Sequence, residues 1–163
     1  MKAKLENIKK RLLQAKKVTI MVVTKGRSEG EIREAYACGL RVFGENRVQE
    51  AKLKFSIFRS LRALGDIELH MIGHLQSNKV KDAVSMFDVI ESVDSLPLLA
   101  KIHDEAKRQQ KEMRVFLQVN ISEDPKKFGI LPDQIFELLR NAQAFTTSGH
   151  IILDGLMTIV EHT

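Results

Sequence analysis

Six short apolar runs recur along this chain, and the stretches between them carry the spacing of amphipathic helices. The first run, Val18 to Val23, is nearly continuous in apolar character. It predicts a strand buried on both faces, as in a parallel sheet. Parallel strands need crossovers rather than tight hairpins. A chain alternating in this way is an α/β protein with right-handed crossovers.

The local signals agree. Leu5, Ile8, Leu12 and Leu13 form one apolar stripe on a helix ahead of the first strand. Ser28 and Glu31 have capping-box spacing, and Gly39 fits just past the end of the helix they open. Further strands are predicted at Arg41 to Phe43, Glu68 to Ile72, Phe87 to Val93, Val115 to Ile121 and Ile151 to Thr158. Helices are predicted near Val48 to Leu64, from Ser77, from Asp94 or Ser95 with Pro97 in the first turn, and from Pro132. No linker rich in Gly, Ser or Pro divides the chain, so residues 1–163 read as one domain. Two architectures satisfy the pattern, an open doubly wound sheet and a (β/α)8 barrel with only about six of its units.

Composition narrows the function classes. With 44% hydrophobic and 29% charged residues, the chain has the apolar content for a core. Its 26 basic and 21 acidic residues leave a net +5, spread along the sequence. The densest basic run, Lys107 to Lys111, is diluted by glutamines and reads as a solvated helix face, not a nucleic-acid patch. A single cysteine, Cys38, excludes an internal disulfide, suits a reducing cytoplasm, and reads as a small core residue. No apolar run is long enough to span a bilayer, and the N-terminus leads into an amphipathic helix rather than a signal peptide.

In either architecture, chemistry belongs at the carboxyl ends of the strands. The residues there are Thr24-Lys25, Gly44-Glu45-Asn46, Gly73-His74, Ser92, Asn120 and Met157-Thr158. Lys25 follows the first strand directly. A lysine in that position either faces water or, once deprotonated, forms a Schiff base with a carbonyl compound. His70 and His74 lack a carboxylate or cysteine partner at metal spacing, so no metal site is expected. Gly44 and Gly73 are single glycines suited to tight turns, not parts of a GxGxxG or P-loop. No Ser-His-Asp arrangement can be assembled from the spacing.

These residues fall in blocks. In order they are Val22 to Lys25, Phe43 to Glu50 (FGENRVQE), His70 to Lys79 (HMIGHLQSNK), Ser92 to Leu96, Gln118 to Ser122 and Gly155 to Ile159. They resemble the YggS/PROSC family of pyridoxal 5′-phosphate (PLP) homeostasis proteins over essentially the whole chain. The resemblance implies a TIM barrel of the alanine racemase N-terminal type, with PLP bound to Lys25 as a Schiff base. Asn46 matches the family asparagine near the cofactor. Ile72 is expected near the ring, and Met157 at the mouth beyond the sixth strand. The implied function is to bind PLP, limit the free aldehyde and supply it to apoenzymes. No catalytic residue is expected. Racemases of this fold take a tyrosine from a second domain, whereas the one tyrosine here, Tyr36, lies in the helix after strand one, where it reads as packing.

Two alternatives stand beside this reading: a PLP-dependent amino-acid racemase-like enzyme, and a barrel fragment without PLP binding. Lys126 and Lys127 read as a solvated loop pair, with Lys127 as a candidate second amine for the aldehyde. Leu69 stands where the family has an aromatic, usually tryptophan, and Arg47 where tyrosine is common. The family also continues through two further βα units, with a serine-containing SMGMS-like stretch and an R-x-G stretch that hold the phosphate and face the pyridine nitrogen. This sequence has neither. The expectation is therefore a barrel incomplete at its C-terminus which, if these residues are the whole protein, holds PLP more weakly and either self-associates through open edges or is poorly ordered.

Overall fold

The computed structural model describes residues 5–8, 10, 18–55 and 66–160. Its strands are β1 (Met21–Val23), β2 (Val42–Glu45), β3 (Glu68–Met71), β4 (Val89–Val93), β5 (Met113–Gln118) and β6 (Ile151–Met157). The helices are α1 (Glu29–Ala37), α2 (Val48–Phe55), α3 (Val80–Met86), α4 (Leu96–Arg108) and α5 (Ile135–Thr146). All neighbouring strands are parallel, and they lie side by side in the order β1-β2-β3-β4-β5-β6. That order decides the architecture. A doubly wound sheet reverses its strand order partway across. Here each strand adds beside the last, and α2, α3, α4 and α5 pack successively on one another. The fold is an α/β, TIM-barrel-like sheet of six parallel strands with its helices outside.

Register sorts the side chains onto two faces. Phe43 pairs with Leu69, and both are buried toward the helices. The Phe43 ring meets the Phe55 ring of α2 at 5.8 Å between centroids. Met71, Ile90, Leu99, Ile102 and Leu117 extend this core between sheet and helices. Gly44 pairs with His70 on the opposite, inner face. Ser28 and Glu31 form the expected capping box, with the Ser28 amide donating to the Glu31 carboxylate at 2.8 Å. Gly39 follows the end of α1 at φ +85°, the left-handed geometry that glycine tolerates best.

Several expectations require correction. β1 is shorter than predicted and is not buried on both faces. Among the described residues it pairs with β2 alone, and Val18 and Val23 stay 51% and 45% exposed. Leu5 is buried, but Ile8 is 45% exposed, so that stripe is only partly seated. Leu12 and Leu13 lie outside the described residues, as does the predicted continuation of α2 past Phe55. Cys38 is the half-buried C-cap of α1 rather than a core residue. Ser77 and Pro132 each open a short 3-10 turn before the α-helix proper. Lys111 is not merely solvated. Its ammonium donates to the Val84 carbonyl at 2.8 Å and to the Phe87 carbonyl. No helix among the described residues is long and apolar enough to cross a membrane.

Candidate functional site

The carboxyl ends of β1, β2 and β3 form one connected structure. Thr24 continues β1 by donating its amide to the Gly44 carbonyl at 2.9 Å, and its side chain is buried. Lys25 then leaves the sheet in a turn with Gly26, exposed to solvent. Asn46 follows β2, and Ile72 and Gly73 follow β3. The Ile72 amide donates to the Glu45 carbonyl at 3.0 Å.

Two glycines make this packing available, by a different route from the one expected. Neither occupies a turn that needs a positive φ. A Cβ on Gly73 would lie 2.3 Å from the Asn46 carbonyl oxygen and 2.7 Å from its Cα. A Cβ on Gly44, inside β2, would lie 2.6 Å from the Met21 sulfur and 2.9 Å from Ile72 Cδ1. Close approach of backbone requires the glycine at Gly73, whereas at Gly44 a Cβ would meet the ends of flexible side chains that can shift aside.

The structure thus brings Lys25, Asn46 and Ile72 to the ends of three consecutive strands. Met157 is set apart, because β4 and β5 intervene between β3 and β6. It is half-buried, and its carbonyl accepts from the Val119 amide at 2.8 Å.

Buried polar atoms without partners mark where a ligand's polar groups would be welcome, since such atoms are costly when unmet. Among the described residues these are Asn46 Oδ1, Glu45 Oε2 and Ser92 Oγ, all near strand ends. Asn46 lines a cavity of about 400 Å³ together with Arg47, Gly73, His74 and Lys79. Lys25 is not among that cavity's lining residues. A second cavity of about 250 Å³, at the ends of β5 and β6, is lined by Gln118, Asn120, Lys127, Phe128 and Ile159. The His74 ring stacks on Phe128 at 3.6 Å, joining the two regions across β4. Lys127 is half-buried, and its ammonium donates to Ser122 Oγ at 3.3 Å.

Below the mouth, the inner face carries an ionic ladder that linear spacing did not reveal. His70 Nδ1 meets Glu91 at 2.5 Å and His70 Nε2 meets Glu68 at 2.5 Å. Arg114 of β5 bridges Glu68 at 3.1 Å and Asp154 of β6 at 2.5 Å. His74 also has a carboxylate, Asp94, at 3.3 Å. The expectation concerned metal spacing along the chain; the carboxylates these histidines do meet, Glu91 and Asp94, come largely from the neighbouring strand β4 and its end, and form ion pairs. The available signal was the charged residue at alternate positions of otherwise apolar strands, as in Glu91 and Arg114. No group of three His, Cys, Asp or Glu residues that could hold a metal occurs among the described residues.

Burial opposes protonation of the His70 ring, but hydrogen bonds to Glu91 and Glu68 outweigh it and hold its pKa above the ordinary value. Only the protonated ring donates from both nitrogens. A raised folded-state pKa gives stability that is complete below the unfolded value of about 6.5 and is lost as pH rises through the folded value. Urea midpoints should therefore fall from pH 6 toward alkaline pH, and His70→Gln should flatten that slope. An equal slope in both proteins would remove His70 as its source.

Comparisons with known proteins bear on this geometry. The family model for the N-terminal domain of alanine racemase matches residues 1–163. A pyridoxal phosphate homeostasis protein of Pasteurella multocida is 33% identical over 158 residues, or 94% of this chain. The chain spans 66% of the length of that relative. The solved structure of PipY from Synechococcus elongatus without PLP is 36% identical, with a TM-score of 0.83 over 98% of this chain and 70% of PipY. The structure of PipY with PLP bound aligns over 95% of this chain and 69% of PipY, with a TM-score of 0.77.

Proposed function

This chain belongs to the alanine racemase N-terminal domain family, and from that premise we propose that it serves PLP homeostasis, holding PLP covalently on Lys25 and supplying it to apoenzymes. The observation that carries the reading is the juxtaposition at the mouth of the barrel. An exposed lysine, Lys25, follows β1 by two residues, and after the neighbouring strand β2 Asn46 presents a buried acceptor with no protein donor. Three residues suit parts of the group. Lys25 offers a primary amine, Asn46 a polar contact, and Ile72 an apolar surface of the kind an aromatic ring needs. Met157 would contribute from the far side of the mouth. When bound, PLP supplies an aldehyde carbon that a neutral amine attacks with loss of one water, reversibly. Residues 1–163 act in this proposal as one PLP-binding domain.

The proposal is for a carrier, not a catalyst. Catalysis on amino acids needs an acid and a base held at the reacting atoms. Both nitrogens of His70 are engaged by carboxylates. Tyr36 is the one tyrosine in the sequence. It bonds Asp66 and lies under the Arg41 guanidinium at 4.0 Å, at the amino ends of β2 and β3 and away from Lys25. The lone half-buried Cys38 is compatible with a reducing, cytoplasmic setting.

The test pairs two assays. The PLP-loaded chain should restore activity to the apo form of a PLP-dependent enzyme. With excess PLP and chiral detection, its own turnover of alanine should fall well below the ordinary enzyme range of about 1–1000 per second. Racemisation within that range, abolished by Lys25→Ala, would overturn the carrier reading.

A further inference from the structure

We propose that Lys54, Glu45 and Glu50 form a clamp that positions Lys25 by fixing the residues on either side of it. The proposal rests on the assignment of Lys25 above and adds a mechanism for its placement.

Lys25 is flanked by Thr24 and Gly26, and each neighbour is held from α2 or from the strand end beneath it. The Thr24 hydroxyl donates to Glu45 Oε1 at 2.7 Å. The Thr24 carbonyl accepts from the Lys54 ammonium at 2.8 Å and from the Arg27 amide at 3.0 Å. The Gly26 amide donates to Glu50 Oε2 at 3.4 Å. Lys54 joins both sides, donating to Glu45 at 2.9 Å and to Glu50 at 3.2 Å.

An ammonium has three N–H donors. Lys54 directs them to the Thr24 carbonyl, Glu45 and Glu50, and its side chain is only 16% exposed. Burial opposes its charge, but the hydrogen bonds to Glu45 and Glu50 prevail and raise its pKa. The Lys54 bond likewise holds the Glu50 carboxyl below its ordinary range. This lysine is thus kept charged, fully bonded and unreactive toward an aldehyde, beside one whose side chain is exposed. The clamp both aims Lys25 and separates two nearby lysines by role. The Glu45 side chain is fully buried, and its Oε1 is where the Lys54 ammonium and the Thr24 hydroxyl meet.

The geometry of α2 makes the clamp possible. Glu50 and Lys54 are four residues apart on one helical face, so both reach the same turn. Glu45 closes β2 two residues after Phe43 and points the same way, toward α2.

The experiment measures the rate at which PLP, trapped with borohydride, labels the Lys25 peptide. Glu50→Ala removes the acceptor for Gly26 at a partly exposed position, so folding should survive. Glu50→Gln keeps an acceptor for that amide, and Lys54→Met removes the hub. Loss of orientation costs roughly ten- to a hundredfold in rate. The expected result is slowing of that size in Glu50→Ala at an unchanged melting midpoint, with substantial recovery in Glu50→Gln. Labelling of surface lysines at high PLP should not change. Lys54→Met should slow Lys25 labelling at least as much as Glu50→Ala does. Amide hydrogen exchange at Gly26, read without PLP, should quicken in Glu50→Ala. Equal Lys25 labelling and equal Gly26 exchange in wild type and Glu50→Ala would overturn the clamp while leaving the Lys25 assignment standing. A wild-type chain that takes no label at Lys25 would overturn both.

Discussion

Replacing Lys25 by alanine is expected to abolish the reducible PLP adduct while leaving the fold intact. Lys25 lies on an exposed turn after β1, and its side chain contributes nothing to the buried core. Surface substitutions of this kind change stability by no more than about 0.5 kcal/mol. Thr24, by contrast, is buried, and the turn's hydrogen bonds use backbone or Thr24 atoms that the substitution preserves. The chemical effect is all or none, because alanine has no amine. Intact mass after PLP and borohydride at low PLP should show one pyridoxyl group on the wild type and none on the variant, with matching urea curves. Retention of the adduct in a folded Lys25→Ala protein would reassign it, and Lys127, lining the second cavity, would be examined first.

A second large effect is expected at Gly73. The Cβ of Gly73→Ala would lie 2.3 Å from the Asn46 carbonyl oxygen, and the atoms in the way are backbone. Rotamer change cannot relieve such a clash, so one of the two loops must move. Overpacking typically costs about 1–3 kcal/mol, and more where the surroundings cannot yield. Against a typical total of about 5–15 kcal/mol, that is a visible shift in the urea midpoint. The displaced loop carries Asn46, so Lys25 labelling should also weaken. Gly155→Ala is the comparison, because its Cβ would meet only the Phe116 ring at 3.3 Å. Equal stability of the two variants would show that the β2 and β3 loops are not in the contact described.

Much of the fold is legible in the amino-acid sequence. Helix–strand alternation requires a parallel sheet, and the capping box at Ser28 and the left-handed Gly39 occur where their spacing places them. The pattern cannot choose between a wound sheet and a barrel. That difference lies in strand order, which is not local in the chain. The family resemblance chooses the barrel, and the order β1 to β6 bears it out.

Close approach is the least legible feature. Gly73 reads as a turn glycine, yet its reason is backbone far away in sequence, the Asn46 carbonyl. Pairings across strands are equally hidden. Nothing in the spacing of His70 and His74 announces Glu91 or Asp94 as partners. The clamp on Lys25 is only half visible. Glu50 and Lys54 have the four-residue spacing of a helical ion pair, but their common target, the turn at Lys25, becomes evident only when α2 is laid against β1 and β2.

The most direct measurement of the central claim is a peptide map of the wild-type chain after it has been given less than one equivalent of PLP and reduced with borohydride. The account predicts that the pyridoxyl mass resides on the peptide containing Lys25, with Lys54 and the surface lysines unlabelled. Label spread across many lysines, concentrated on another, or missing altogether would contradict it.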